Sequence, residues 1–153
     1  MPTSRSAGLL LYRRSAGDVE VLLGHMGGPF FSKRDDGAWS IPKGEYGDDE
    51  APLAAAHREF AEELGLAPPP GTERELGTVR QRNGKRVTAW AVEADLDVTA
   101  ISSNTFEIEW PPRSGRRQSF PEIDRAGWFD LATARRKMIV GQDALLDRLT
   151  ALL

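Results

Sequence analysis

The sequence predicts an α/β sandwich with a mixed β-sheet, formed by one domain that spans residues 1–153. Three observations support this fold class. Short β-branched or leucine-rich runs come first, a long amphipathic helical pattern interrupts them, and two further helical patterns close the chain. Strands interrupted by an early helix and followed by two late helices are typical of α/β sandwiches. No repeat and no break in composition divides the pattern into two domains.

The composition excludes several classes of protein. Of the 153 residues, 40% are hydrophobic and 28% are charged, as in an ordinary soluble domain. No apolar run approaches the roughly 20 residues needed to cross a bilayer. A formal net charge of −3 makes nucleic acid an unlikely partner, because such binding depends on Lys and Arg neutralising phosphates. The chain has no cysteine and does not begin like a signal peptide, so we expect a cytoplasmic location.

Alternating and β-branched patterns predict the strands. The first two strands flank a hairpin connection at residues 14–18, and a later pair flanks Asn83-Gly84, a strong hairpin signal. Breakers fill residues 27–37 and 111–117, which we interpret as loops. The predicted strands are residues 7–13, 19–24, 39–44, 75–82, 85–93, 105–110 and a short edge strand at 127–129. The two late helices are predicted over residues 131–138 and 142–152.

The longest helix is predicted to begin near residue 50. Asp48, Asp49 or Glu50 could cap its exposed N–H groups, Pro52 suits the first turn, and Gly65 stands where a helix commonly ends. One narrow arc of this helix is apolar and predicts a seam against the sheet. The arc contains Leu53, Ala56, Phe60 and Leu64.

Three glutamates on this helix are candidates for chemistry. Glu59, Glu62 and Glu63 lie at i, i+3 and i+4, so their side chains are neighbours on one face. On an anonymous helix, such a group is usually a solvated acidic face. Carboxylate oxygens are also the ligands that Mg²⁺ and Mn²⁺ prefer, and a cluster of them suits hydrolysis of a phosphoanhydride. The helical wheel places Glu59 and Glu63 beside the apolar seam and Glu62 nearer to solvent.

The segment from residue 44 to residue 66 resembles the Nudix box. Gly44 is followed after five residues by Glu50 and after seven more by Arg58-Glu59-Phe60-Ala61-Glu62-Glu63-Leu64-Gly65-Leu66. The resemblance implies an α/β/α sandwich and a pyrophosphohydrolase that uses Mg²⁺, with Mn²⁺ as a possible substitute. It identifies metal ligands at Glu59, Glu62 and Glu63, of which Glu62 and Glu63 are also catalytic. Structural roles within the motif fall to Gly44, Glu50, Arg58 and Gly65. Glu50 and Arg58 correspond to the pair that ties the loop to the helix. Gly44, at the end of the strand predicted over residues 39–44, can take the positive φ of a turn.

Two residues outside the helix complete the implied site. Lys43 precedes the motif where family members offer a backbone carbonyl to a metal, and its side chain could also contact phosphate. A further carboxylate in many Nudix enzymes comes from a late loop shortly before an aromatic residue. Glu122, six residues before Trp128, fits that position as general base or additional ligand. Asp124 is a competitor, and a purely structural carboxylate is an equal alternative.

The residues that lead into the motif bear on the substrate. Trp39-Ser-Ile-Pro-Lys-Gly44 resembles the same segment in the Nudix branch that cleaves diadenosine polyphosphates. Trp39 could stack on an adenine, and Lys43, Arg116 and Arg117 could bind phosphates. For Trp39 the alternative is a core position, and for the arginines it is ordinary solvated loop charge.

The expected substrate is a dinucleoside tetraphosphate, with diadenosine tetraphosphate cleaved to ATP and AMP. The same chemistry would serve a nucleoside triphosphate, a nucleotide sugar, a diphosphoinositol polyphosphate or an RNA 5′ end. A non-catalytic nucleotide sensor on the same fold is an alternative of another class, although the intact glutamates argue against it. The sequence leaves open whether the protein is a monomer or a homodimer.

Overall fold

Nine strands and three α-helices are arranged along residues 4–153, the part of the chain that the computed structural model describes. They are joined by loops, one of which contains a short 3₁₀ helix, Val98–Ala100. The strands are β1 Arg5–Ser15, β2 Asp18–Met26, β3 Trp39–Ser40, β4 Lys43–Glu45, β5 Glu73–Arg80, β6 Arg86–Glu93, β7 Thr105–Glu109, β8 Arg117–Pro121 and β9 Ile123–Asp130. The α-helices are α1 Pro52–Leu64, α2 Leu131–Lys137 and α3 Ala144–Leu152.

Seven of these strands form one mixed sheet, as predicted. β1 runs antiparallel to β2 and parallel to β6, while β5 and β9 lie at the two edges. β3 pairs with β2 and β4 pairs with β1, so the segment that leads into the motif lies between the diverging ends of β1 and β2. β7 and β8 form a separate two-stranded sheet. No helix within residues 4–153 is long and apolar enough to span a membrane.

The helices cover both faces of the sheet, which confirms the predicted α/β/α sandwich. Successive side chains of a strand point to opposite faces. Accordingly Leu9 and Leu11 of β1 belong to one buried cluster with α1, whereas Leu10 belongs to the other with α2 and α3. Phe60 and Leu64 of α1 are fully buried, as the apolar arc predicts.

The end of α1 follows the prediction, but its beginning does not. Gly65 adopts the left-handed conformation at φ 70°, and its N–H donates to the carbonyl of Ala61. At the other end Ala51 is the N-cap and no side chain caps the helix, so the predicted capping role of Asp48, Asp49 or Glu50 is wrong. Pro52 occupies the first turn and removes one N–H that would need a partner.

The C-terminal half differs from the prediction in three elements. The predicted basic loop extends only to residue 116, because Arg117 begins β8, which pairs antiparallel with β7. The short edge strand predicted at residues 127–129 is part of the longer β9, which pairs with β2. Gln142 does not begin the last helix. It is buried, and its side chain bonds to Ser40 and Gln81 while α3 begins at residue 144.

Candidate active site

The sandwich directs one face of α1 toward a cleft of about 360 Å³. The helical wheel is confirmed here, since the Glu59 side chain is 13% exposed and the Glu62 side chain is 42% exposed. Residues from β1, β2, β4, α1, the β5–β6 turn and both ends of the β7–β8 hairpin meet at this cleft. Its lining consists of Ser6, Met26, Lys43, Gly44, Glu45, Glu59, Glu62, Glu63, Lys85, Asn104 and Glu122.

Glu63 is fixed to the strand that faces α1. The backbone N–H of Lys43 donates to Glu63 Oε1 at 2.9 Å. Burial raises the pKa of Glu63 to about 8; the hydrogen bond and charge of Lys43 oppose this shift, and the negative charges of Glu122 and Glu59 add to it. Because burial disfavours its negative charge, the ionised carboxylate of Glu63 would be stabilised by a nearby cation.

Burial also shifts the pKa values of other groups in the cleft. Burial raises the pKa of Glu59, and the charge of Glu62 adds to the shift although Arg58 opposes it. Burial and then the charge of Glu59 raise the pKa of Glu122. Burial also lowers the pKa of the Lys43 ammonium, against the attraction of Glu63. Every one of these shifts disfavours the charged form of its group, so an additional cation would stabilise the three carboxylates.

Arg58 organises the open side of the cleft. Its Nε and Nη2 atoms donate to the two carboxylate oxygens of Glu50, each at 2.8 Å. Its Nη1 atom donates to Glu59 at 2.8 Å and to Glu62 at 3.3 Å. The paired contact with Glu50 is the bidentate geometry for which guanidinium is suited, and it lowers the pKa of Glu50. The predicted tie between Glu50 and Arg58 is therefore present.

Gly44 allows the carboxylate of Glu59 to approach the strand. A Cβ atom built on Gly44 would lie 2.0 Å from the carboxyl carbon of Glu59. The sequence suggested that this glycine provides a turn with positive φ. The structure corrects that explanation, because Gly44 lies within β4 and is absent from the glycines with positive φ among residues 4–153. Close approach, not backbone conformation, requires glycine here.

The donors suit a hard divalent cation in their chemistry. Five carboxylates line the cleft, and Mg²⁺ binds carboxylate oxygens together with water and substrate oxygens. Within residues 4–153 no three acidic or histidine side chains already converge on a common point. The Arg58 contacts account for this arrangement, since they direct Glu59 and Glu62 toward the guanidinium. A bound cation would have to draw these side chains from Arg58 into the cleft.

The two candidates for the late carboxylate have different surroundings. Glu122 lines the cleft at the junction of β8 and β9. Asp124 Oδ1 instead contacts Nδ1 of the buried His25 at 2.9 Å, and its other neighbour is Arg125. The geometry favours Glu122 over Asp124, while its role in catalysis stays a prediction.

The predicted substrate-binding residues are not all brought to the cleft. Trp39 is only 5% exposed and packs against His25 and Phe129, so its burial argues against stacking on a base. Arg116 and Arg117 are exposed at the far end of the β7–β8 hairpin and do not line the cleft. Of the four residues proposed to bind substrate, Lys43 alone lies in the cleft.

Lys85 and Asn104 line the cleft although sequence reasoning did not select them. Lys85 precedes β6, whose parallel pairing with β1 sets Arg86 beside Arg5 and so places Lys85 at the beginning of β1, where Ser6 also lines the cleft. The Asn83-Gly84 signal indicated the turn but not which strand β6 would join. Asn104 accepts the backbone N–H of Glu122 through its carbonyl at 2.9 Å. No local pattern in the sequence signals that contact.

A model of the NUDIX domain matches residues 2–149, and the chain therefore belongs to the Nudix domain family. Among solved structures, a C. elegans Ap4A hydrolase in a binary complex is similar with TM-score 0.67 and 23% identity, over 98% of this chain and 97% of that one. The NUDIX domain of Shewanella oneidensis NrtR, complexed with ADP ribose, is similar with TM-score 0.64 and 15% identity, over 99% of this chain and 89% of that one. At these identities the likeness shows the fold alone. A comparison with curated proteins gave no match.

Proposed function

We propose that the protein is a Mg²⁺-dependent pyrophosphohydrolase that cleaves a phosphoanhydride in a nucleoside diphosphate derivative. The observation that carries this proposal is the meeting of Glu59, Glu62, Glu63 and Glu122 in one cleft with Lys43 and Lys85. The carboxylates supply ligands for the metal, and the lysines supply positive charge for the substrate phosphates. Membership of the Nudix family supports the same reaction class.

Glu59, Glu62 and Glu63 would hold the metal, which when bound lowers the pKa of water and offsets charge on the phosphate. Arg58 restrains Glu59 and Glu62 on the solvent side, and the N–H of Lys43 orients Glu63. Glu122 stands in the same cleft, with a raised pKa that suits it to accept a proton from the attacking water.

The substrate we favour is a dinucleoside tetraphosphate, cleaved to a nucleoside triphosphate and monophosphate. The sequence from Trp39 to Gly44 supports this choice, as does the fold similarity to an Ap4A hydrolase over nearly the whole length of both chains. Although Trp39 itself is buried, the same segment places Lys43 in the cleft. The similar NrtR domain with ADP ribose makes ADP ribose the second substrate to test.

The test is a panel of nucleoside diphosphate derivatives assayed with Mg²⁺ and with Mn²⁺, with products identified by mass. The panel contains diadenosine tetraphosphate, ADP ribose, nucleoside triphosphates, a nucleotide sugar, a diphosphoinositol polyphosphate and a capped RNA. We expect ATP and AMP from diadenosine tetraphosphate at the highest kcat/KM. A higher kcat/KM for another member would replace the substrate and keep the reaction class. Tight binding without turnover of any member would favour the nucleotide sensor.

A further inference from the structure

Four aromatic side chains on residues 27–37 and on the β7–β8 hairpin lie outside both buried clusters. Phe30 is 62% exposed, and its ring meets that of Trp110 at 5.4 Å between centroids with an interplanar angle of 78°. Phe106 and Phe120 pair across β7 and β8 at 6.1 Å. We call Phe30, Phe106, Trp110 and Phe120 the aromatic patch; none of the four is buried.

Strand alternation gathers this patch on one face of the β7–β8 hairpin. Phe106 of β7 is directly opposite Phe120 of β8, whereas the intervening Glu107 and Ser119 point to the other face. The ring of Phe106 lies against Gly28, where an added Cβ would be 2.8 Å away, so the aromatic face is turned toward residues 27–37. An isolated two-stranded sheet is only marginally stable in water. Contact between its apolar face and another surface would therefore stabilise the hairpin.

The hairpin is rooted in the wall of the catalytic cleft. The residues before β7 and after β8, Asn104 and Glu122, both line the cleft and are joined by a backbone hydrogen bond of 2.9 Å. The N–H of Gly27 donates to the carbonyl of Glu122, also at 2.9 Å. Phe30 follows Gly27 by three residues, which limits their Cα separation to about 11 Å. Phe30 therefore lies near the wall of the cleft, and the aromatic patch extends from there along the hairpin to Trp110, whose backbone N–H donates to the carbonyl of Arg116.

The charge around the aromatic patch is predominantly positive. The neighbouring acids Asp35 and Asp36 are already paired with Lys137 and Arg136 of α2, which leaves Glu107 and Glu109 of β7 as the exposed acids of the hairpin. The exposed cations on residues 27–37 and on the hairpin are Lys33, Arg34, Arg113, Arg116 and Arg117. An aromatic surface with surrounding arginines complements a nucleotide, which presents a flat base and an anionic phosphate together.

We propose that the aromatic patch binds one nucleoside of the substrate, with its base stacked on the exposed ring of Phe30, which Trp110 contacts at right angles, and its phosphates directed to the cleft. This inference rests on the proposed function and adds the residues that would distinguish a substrate with two nucleosides from one with a single nucleoside. The perpendicular arrangement of the two rings leaves one aromatic face open, and stacking on such a face is tolerant of the identity of the base.

Equilibrium binding tests the aromatic patch without turnover. In a Glu63→Gln background, the Kd for diadenosine tetraphosphate and the Kd for inorganic tripolyphosphate are measured by calorimetry. We expect Phe30→Ala to raise the Kd for the dinucleotide on the order of tenfold, because one stacking contact is lost. The Kd for tripolyphosphate should stay unchanged, because tripolyphosphate has no base. Phe30→Tyr should retain the affinity because it keeps the ring. Val140→Ala, at a position 52% exposed and outside the hairpin, is the matched control.

An unchanged dinucleotide Kd in both Phe30→Ala and Trp110→Ala would overturn the proposal. It would also be overturned if sedimentation showed that Phe30→Ala converts a dimer to a monomer at unaltered nucleotide affinity, because a second copy would then cover the aromatic patch. A Phe30-dependent Kd without hydrolysis of any panel member supports the binding surface and contradicts the enzyme. Hydrolysis of a panel member together with a Kd that does not depend on Phe30 would support the enzyme and contradict the binding surface.

Discussion

At the residue scale, the carboxylate of Glu59 owes its position to the missing side chain of Gly44. The two groups approach so closely that a Cβ on Gly44 would meet the Glu59 carboxyl at 2.0 Å. What yields in such a clash is the end of a flexible side chain rather than the backbone of β4. Gly44 therefore serves the geometry of the site more than the stability of the fold.

We expect Gly44→Ala to lower kcat at least tenfold by displacing Glu59, while Tm changes by no more than a few degrees. Steady-state kinetics and a thermal melt measure the two effects. Gly47→Ala is the matched control, because an added Cβ there meets only the Asp49 side chain at 3.1 Å. Full activity in Gly44→Ala would show that Glu59 does not need its present position.

Single residues also show why part of the site escaped sequence reasoning. The i, i+3, i+4 spacing suffices to place Glu59, Glu62 and Glu63 on one face, because a helix fixes neighbours locally. Trp39 carries no comparable signal. Its ring could have faced a ligand or the core, and only the packing of β2, β9 and α2 around it decides for the core.

At the scale of elements, Arg58 joins three segments that the backbone does not hold together. It is on α1, and besides Glu59 and Glu62 it contacts Glu50 in the preceding loop and, at 3.3 Å, the carbonyl of Glu45 in β4. A guanidinium can make these contacts at once because its donors form a rigid planar fork. A lysine ammonium cannot.

Arg58→Lys should therefore lower both stability and turnover. We expect Tm to fall by roughly 2–4 °C, as for the loss of one good surface network in a protein of this size. The kcat should fall as Glu59 and Glu62 lose their restraint. Arg80→Lys, at an exposed position on β5, controls for the change of residue type. Equal Tm and kcat for Arg58→Lys and the wild type would contradict this role.

A second connection between elements anchors residues 27–37 to α2. Asp35 bonds to Nζ of Lys137 at 2.6 Å and to the indole N–H of Trp39 at 2.9 Å. The Lys137 contact, then the Trp39 contact, lowers the pKa of Asp35 below its ordinary value of 3.8. A lowered pKa means that the folded state favours the ionised carboxylate. Its contribution to stability is present above that ordinary value and is lost as pH falls through the lowered pKa.

Asp35→Asn should consequently destabilise the protein at pH 7, and the difference from wild type should shrink as pH falls below 3.8. Thermal melts of the two proteins between about pH 2.5 and about pH 8 follow the difference. The exposed Asp18→Asn in the β1–β2 hairpin serves as the control. A difference in Tm that stays constant down to the acid limit would show that the ionised carboxylate is not the stabilising group.

At the scale of the whole molecule, the cleft is a product of long-range topology. α1, β4, the start of β6 and the junction of β8 with β9 each contribute a charged group to it. The metal-ligand candidates on α1 and the neighbouring Lys43 were predictable because they belong to one continuous motif. Lys85 and Asn104 were not, since their proximity depends on which strands become neighbours.

The same distinction holds for the fold. Local signals predicted the Asn83-Gly84 hairpin, the apolar face of α1 and the glycine at its end. The strand β8 was missed because its sequence, Arg-Gln-Ser-Phe-Pro, lacks a clear alternation of apolar and polar residues. The predicted helix caps failed because Asp48 pairs with Arg5, which is distant in sequence, and Glu50 pairs with Arg58 inside the helix instead of with the N–H groups at its start.

The carboxylates of the cleft are the proposed source of metal-dependent hydrolysis. The decisive measurement compares kcat for diadenosine tetraphosphate with Mg²⁺ and with EDTA, in the wild type, in Glu63→Gln and in the exposed control Glu75→Gln. Glutamine at position 63 can still accept the N–H of Lys43, so the variant should fold. We predict Mg²⁺-dependent turnover in the wild type and control, and a loss of about 100-fold or more in Glu63→Gln. Turnover by Glu63→Gln equal to that of the wild type would contradict the account.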